Sequence, residues 1–171
     1  MAIEIAPLRV PVAAADRHAL IELLMDVVAG GGAVSFLPPL TEAEAAAFWD
    51  SALADLAHRM ILVARDDAGL ILGSVQLIPA PMPNQPHRAD VAKLLVHRQM
   101  RRRGIARALM QAVEAAAQTI DRNLLTLDTR RGDAAESLYR SLGYAEAGII
   151  PRYAKNADGS FHDTVIFYKE I

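Results

Sequence analysis

The chain has 171 residues, 53% of them hydrophobic but only 5% aromatic, no cysteine, and 18 Lys plus Arg against 20 Asp plus Glu for a formal net charge of -2. That length predicts one domain able to build its own core, and the missing cysteine excludes disulfides, thiolate metal sites and any covalent intermediate on a protein thiol. With no excess of positive charge, neither nucleic acid nor an anionic membrane is expected as a partner, so an anionic ligand must be met by a local basic cluster.

Residues 1–10 lack a basic stretch followed by a long apolar run, so no secretory leader is expected and the default location is the cytoplasm. Apolar runs elsewhere are broken by charges well short of the about 18 residues that a membrane span needs. Ile3, Ile5 and Leu8 to Val10 predict a short first strand ending at Pro11. From 13 to 29, Leu20, Leu23, Leu24, Val27 and Val28 recur at helical spacing until Gly30-Gly31-Gly32 stops the pattern. Thr41 and Glu44 form a capping box that opens a second helix, running to about Arg59 with Phe48 and Trp49 as its large residues. Two β-rich runs, 60–64 and 70–78, flank the turn formers Asp66-Asp67-Ala68-Gly69 and predict a hairpin. Pro79, Pro81, Pro83 and Pro86 then confine their segment to a surface loop.

A strand is expected over 91–96, an amphipathic helix from 105 to about 120, a strand over 124–127, and a helix over 133–142 that stops at Gly143. Two further strands surround the turn Asn156-Ala157-Asp158-Gly159. The order βααβββαβαββ predicts one α/β domain over residues 1–171, with a mixed central sheet of about seven strands and about four flanking helices.

The segment from Val91 to Gln118 carries the chemistry. A strand ends near Val96, an arginine-rich turn follows (Arg98, Arg101, Arg102, Arg103), and Gly104-Ile105-Ala106 opens a helix. Free amides and the positive end of the helix dipole gather there, small residues let a bulky anion approach, and the arginines add charge, which predicts a pyrophosphate site. Neither the G-x-x-x-x-G-K-[ST] nor the G-x-G-x-x-G phosphate motif is present. On its own such a turn is more commonly a solvated charge run.

Arg101-x-x-Gly104-x-Ala106, between strand and helix, resembles the Q/R-x-x-G-x-G/A acetyl-CoA motif of the GNAT superfamily N-acetyltransferases, and Ala135-Glu136-Ser137-Leu138-Tyr139-Arg140-Ser141-Leu142-Gly143-Tyr144 resembles that superfamily's A-x-x-L-Y-x-x-L-G-[FY] segment. Two motifs in the right order are far more specific than one. Gly31-Gly32-Ala33 before Phe36, Lys93-Leu94, Leu127-Asp128-Thr129, Pro151-x-Tyr153 and Asp158-Gly159-x-x-His162-x-Thr164 are similar to its tabtoxin-resistance branch, over most of the chain. The resemblance implies a GNAT-like fold, acetyl-CoA as co-substrate with no metal, and direct transfer to a small-molecule amine. A peptide or protein acceptor, or an acyl-CoA-binding regulator without turnover, are the alternatives. Pairing into a homodimer through the C-terminal strands stays open.

By motif position, the resemblance implies that Leu94, Leu95 and Val96 bond the pantetheine as if it were another strand, with a backbone N–H of Leu95 or Val96 as oxyanion donor. The amides of Arg101, Arg102, Arg103, Gly104, Ile105, Ala106 and Arg107 would hold the pyrophosphate. Tyr139 takes the place of the superfamily's general acid, since a phenol is protonated at neutral pH; the other reading is a core tyrosine between Leu138 and Leu142. Asp128, taken to end an apolar strand, either holds the substrate ammonium, acts as base, or simply bonds backbone amides. Asp90 and Glu136 are weaker base candidates. Phe36 and His162 are expected near the acceptor, Trp49 either beside Phe36 in the pocket wall or, the commoner role, in the core, and His97 beside the site or at the surface. His18, His58, His87, His97 and His162 show no paired metal-ligand spacing. Ala106 for glycine, Arg102 for a common glycine, and His97-Arg98 for an apolar-Pro pair depart from the superfamily's usual pattern and leave the loop path open.

Overall fold

In the computed structural model, which describes residues 2–171, the apolar runs pair into one seven-stranded mixed sheet of order β1-β2-β3-β4-β5-β7-β6. The first strand, β1 (Glu4–Pro7), is shorter than its apolar pattern, although Leu8 N–H still donates to the Ile61 carbonyl at 2.8 Å. Helix α1 (Ala14–Ala29) buries Leu20, Ile21, Leu23, Leu24, Val27 and Val28. Thr41 and Glu44 complete the expected capping box of α2 (Glu42–Ala54), which stops before Arg59 because the Asp55 carboxylate takes both His58 and Arg59 in a turn. The hairpin β2 (Met60–Arg65) and β3 (Ile71–Pro79) turns on Asp66, whose carboxylate accepts from the N–H groups of Ala68 and Leu70.

Strand β4 (Arg88–Val96) starts three residues before the expected 91, and a 3-10 turn, Arg98–Met100, precedes α3 (Ile105–Gln118). Strand β5 (Leu124–Arg130) runs beyond Leu127, α4 (Ala134–Ser141) follows, and β6 (Ala145–Lys155) and β7 (Phe161–Glu170) close the sheet. The seven strands and four helices match the architecture read from the sequence. No helix among the described residues is long and apolar enough to cross a membrane.

Strand alternation gives the sheet two apolar faces. On one, Ile105, Leu109, Met110 and Val113 of α3 pack with Leu62, Val75, Leu125, Leu127, Tyr139 and Phe167. On the other, α1 and α2 cover Ile61, Val63, Ile71 and Leu95, with Trp49 fully buried between them as expected. The registers decide where the sheet opens. β4 pairs with β5, in parallel, only through Arg88↔Leu124, Ala89↔Leu125 and Asp90↔Thr126, although β4 continues to Val96 and β5 to Arg130. The same stretch of β4 carries a bulge against β3, between the pairs Ser74↔Leu95 and Gln76↔Ala92. A bulge bends its strand and re-aims it, and here the two central strands part just beyond Asp90.

Candidate functional site

The parting leaves strand backbone open along one edge of β4. His97 N–H donates to the Leu72 carbonyl of β3 at 2.9 Å, and Gly73↔Val96 and Ser74↔Leu95 continue that register. Amides alternate along a strand, so Leu95 N–H faces β3 while Val96 N–H faces the gap. The Leu95 side chain is fully buried under α1 and α2, whereas Leu94 and Val96 are half-buried against the α3 face. Of the two amides expected to reach a developing oxyanion, Val96 is the one directed into the opening.

At the end of β4 the basic turn divides its arginines. Arg98 is committed elsewhere: its N–H and Nε both donate to the Asp26 carboxylate of α1 at 2.8 Å. Burial works against the Asp26 charge, but these bonds and the nearby His97 ring hold its carboxyl below the usual carboxylate range. His97 caps the 3-10 turn through Nδ1, 3.4 Å from the Gln99 amide, and its Nε2 lies 3.7 Å from Asp26. Arg101, Arg102 and Arg103 are exposed, and their side chains make no hydrogen bond or ion pair among the described residues.

The N-terminus of α3 has no side-chain cap. Ala108 N–H makes the first intrahelical bond, to Gly104 at 3.0 Å, so the amides of Ile105, Ala106 and Arg107 lack helical partners. Gly104 (φ 81°) is left-handed with nothing within 4 Å of where a Cβ would lie. Arg102 adopts the left-handed conformation itself, at φ 64°. The Arg107 guanidinium bonds Ser141 of α4 at 2.7 Å, leaving its amide rather than its side chain for an anion.

Tyr139 projects from α4 into the core, 6% exposed, with its ring centroid 5.9 Å from Tyr144 and 6.0 Å from Phe167. Its hydroxyl makes no hydrogen bond among the described residues. Burial, and next the charge of Asp128, push the phenol well above its ordinary pKa, so the proton stays on at neutral pH. The ring is therefore core, and the phenol keeps its proton.

Asp128 differs from its expected placement. β5 continues two residues past it, and its exposed carboxylate bonds no backbone amide; it accepts from the hydroxyl of Thr164 on β7 at 3.1 Å. Thr164 is buried and its hydroxyl also lies 2.9 Å from the Thr129 carbonyl, which fixes the side chain. Asp90 and Glu136 are occupied. Asp90 lies between Arg88, at 2.6 Å, and Thr126, while Glu136 accepts from Gly132 N–H at 2.5 Å and from Arg140 at 3.2 Å.

Of the two residues expected near the acceptor, Phe36 packs with the α1–α2 core. Phe36 stacks edge-on against Phe48 at 5.4 Å, and Phe48 against Trp49 at 5.2 Å, so Phe36 and Phe48 form a half-buried aromatic wall braced by a core indole. His162 lies beyond the end of β5, on the sheet face shared by Thr164 and Asp128, with Nδ1 2.8 Å from the Asn156 side chain. Sequence reasoning did not single out Lys93 and Ser35 as site residues. Lys93 sits at the bulge, half-buried, with Nζ 3.1 Å from Ser35 Oγ and 5.6 Å from the Phe48 ring centroid. The signals available were a lone lysine inside an apolar strand and the Lys93-Leu94 pair within the family-like segments.

The site thus offers an open strand edge for a chain of amides, a cationic helix start for a polyanion at one end, and a protonated phenol and a free carboxylate beside the gap. The acetyltransferase (GNAT) domain model matches residues 57–146. An uncharacterized N-acetyltransferase from the hisH-hisA intergenic region of Azospirillum brasilense is 32% identical over 117 residues, 67% of this chain and 68% of that protein. Among solved structures, an N-acetyltransferase from Staphylococcus aureus superposes with a TM-score of 0.81 at 19% identity, covering 99% of both chains. YncA of Salmonella typhimurium, solved with its cofactor acetyl-CoA, superposes with a TM-score of 0.79 at 16% identity, covering 99% of this chain and 94% of its own.

Proposed function

This chain belongs to the acetyltransferase (GNAT) domain family, and from that premise we propose that it transfers an acetyl group from acetyl-CoA directly to a primary amine of a small amino-acid-like or toxin-like molecule. The whole chain acts as one N-acetyltransferase domain, in the cytoplasm, without a metal. The observation that carries the reading is the parting of β4 from β5 beyond Asp90↔Thr126, with the Tyr139 phenol close enough to Asp128 on β5 to feel its charge. The flanking segments similar to the tabtoxin-resistance branch support the small acceptor.

Acetyl-CoA supplies an activated thioester carbonyl and a thiolate leaving group. The amides of Ile105, Ala106 and Arg107, with the side chains of Arg101, Arg102 and Arg103, are suited to hold its pyrophosphate. The open edge of Leu94 to Val96 bonds the extended arm, and Val96 N–H donates to the carbonyl oxygen as charge grows there. Asp128, oriented by Thr164, takes the acceptor ammonium and receives its proton. Tyr139 holds a proton at Oη for the departing sulfur. With no cysteine in the chain, no acetyl-cysteine can form.

The test is release of free thiol from acetyl-CoA with a panel of amino acids, polyamines, aminoglycosides and peptides. Turnover on a small amine is the expected result. Turnover on peptides alone replaces the acceptor class, and binding of acetyl-CoA with no thiol release on any amine replaces the enzyme with a regulator.

A further inference from the structure

Five non-glycine residues among those described have a positive φ, and two of them, Ser35 at 72° and Lys93 at 51°, are joined by one side-chain hydrogen bond of 3.1 Å. Side-chain-bearing residues avoid this region, and where the surrounding structure holds them in it the strain tends to mark a working site. Lys93 is placed there by the β4 bulge at the parting of the strands, and Ser35 by the segment between α1 and α2. The strain brings a flexible cation to the aromatic wall of Phe36 and Phe48.

Among the described residues no carboxylate pairs with this ammonium. A half-buried cation without an anionic partner is costly, and burial holds Lys93 below the usual lysine pKa, with the charge of Asp128 pulling the other way. Asp128 belongs to the opposite wall of the gap, on β5, and among the described residues its carboxylate meets a neutral threonine hydroxyl and no cation. Two opposite charges therefore face one opening from its two strands, near enough to influence each other yet not in contact. The molecule that complements them carries an ammonium and a carboxylate a few bonds apart.

We propose that Lys93, steadied by Ser35, binds the carboxylate of the acceptor and is the residue that determines its specificity, so that the preferred acceptor is an α-amino acid whose amine lies on the Asp128 side. This rests on the acetyl-transfer reading of the same site. A polyamine or an aminoglycoside would bring a second cation towards Lys93 and leave it unpaired, so the same residue selects against them.

The experiment compares α-amino acids with their α-carboxamides by thiol release, in the wild-type protein and in Lys93→Met, with acetyl-CoA binding followed in parallel by thermal unfolding. The wild type is expected to prefer the best amino acid over its carboxamide by about tenfold or more in kcat/KM, and Lys93→Met to erase most of that ratio through KM rather than kcat. Ser35→Ala, which keeps the charge but loosens it, should raise KM for the amino acid by about threefold and serves if Lys93→Met does not fold. Equal use of amino acid and carboxamide by the wild type overturns the inference, as does a Lys93→Met whose loss is in acetyl-CoA binding. Turnover confined to polyamines or aminoglycosides overturns it while leaving acetyl transfer intact. Absence of turnover on every amine overturns both.

Discussion

A tyrosine can donate a proton to a leaving thiolate only if it still carries that proton at the working pH and its oxygen can reach the site. Tyr139 meets the first condition through burial and the charge of Asp128, and no hydrogen bond among the described residues ties its oxygen elsewhere. Replacing it with phenylalanine removes the oxygen and keeps the ring that packs on Tyr144 and Phe167. Tyr139→Phe is expected to lower kcat about 100-fold or more while leaving acetyl-CoA binding near the wild-type value. Steady-state kinetics beside a binding titration separate the two, and unchanged turnover would remove the general-acid role. The same residue leaves a mark on stability. In the unfolded chain the phenol ionises near 10, whereas in the fold its proton is held more tightly, so its contribution is fully present below pH 10 and is lost as the pH rises through the raised folded value. The fall of wild-type Tm above about pH 10 should therefore be shallower in Tyr139→Phe.

At the scale of elements, what was legible in the sequence was what local chemistry decides. The capping box of Thr41 and Glu44 opens α2, the asparagine-to-glycine turn of 156–159 closes a hairpin, and Gly104 and Gly143 bound α3 and α4. The motif position of Tyr139 was equally legible. What escaped depends on partners distant in the chain. Arg88-Ala89-Asp90 looks like the polar end of a proline loop, yet it is strand because Leu124, Leu125 and Thr126 pair with it and Arg88, Asp90 and Thr126 satisfy one another. The bulge that tilts Lys93 into the site is a mismatch of register between β3 and β4, which no single strand encodes. The commitment of Arg98 to Asp26 is likewise a tertiary event hidden inside a charge run.

Gly73 tests how tightly that register and the helix start are coupled. A Cβ added there would meet the Leu95 carbonyl at 2.7 Å, Leu109 Cδ1 at 3.2 Å and Ile105 Cγ2 at 3.3 Å. The first contact is backbone and cannot swing away, so β3, β4 and the first turn of α3 must move apart. Gly73→Ala is expected to cost about 1–3 kcal/mol in urea unfolding and to weaken acetyl-CoA binding, because Val96 and the α3 amides shift together. A destabilised variant that binds acetyl-CoA normally would show that the two walls are independent.

Taken whole, the molecule is a sheet whose centre is only partly closed. Between β4 and β5 a three-pair parallel ladder and the buried Leu125 and Leu127 against α3 connect the N-terminal strands to the β5-β7-β6 group, and the gap beyond runs to the basic turn. A ligand that bonds the open edge of β4 and reaches the start of α3 adds to that connection in the folded state alone. By mass action, acetyl-CoA at about 100 times its Kd should stabilise the fold by about 2.7 kcal/mol, or about 5–10 °C in Tm for a chain of this size. The net charge of -2 gives no long-range attraction for a polyanion, so the hold on it must come from the exposed Arg101, Arg102 and Arg103 and the uncapped helix. Exposed charges are screened within about 8 Å at physiological ionic strength. The Tm increment from a fixed, subsaturating acetyl-CoA concentration should therefore shrink as salt rises from low to molar levels, by more than the Tm of the protein alone changes. An increment indifferent to salt would move the anchor away from the arginine turn and onto the strand edge.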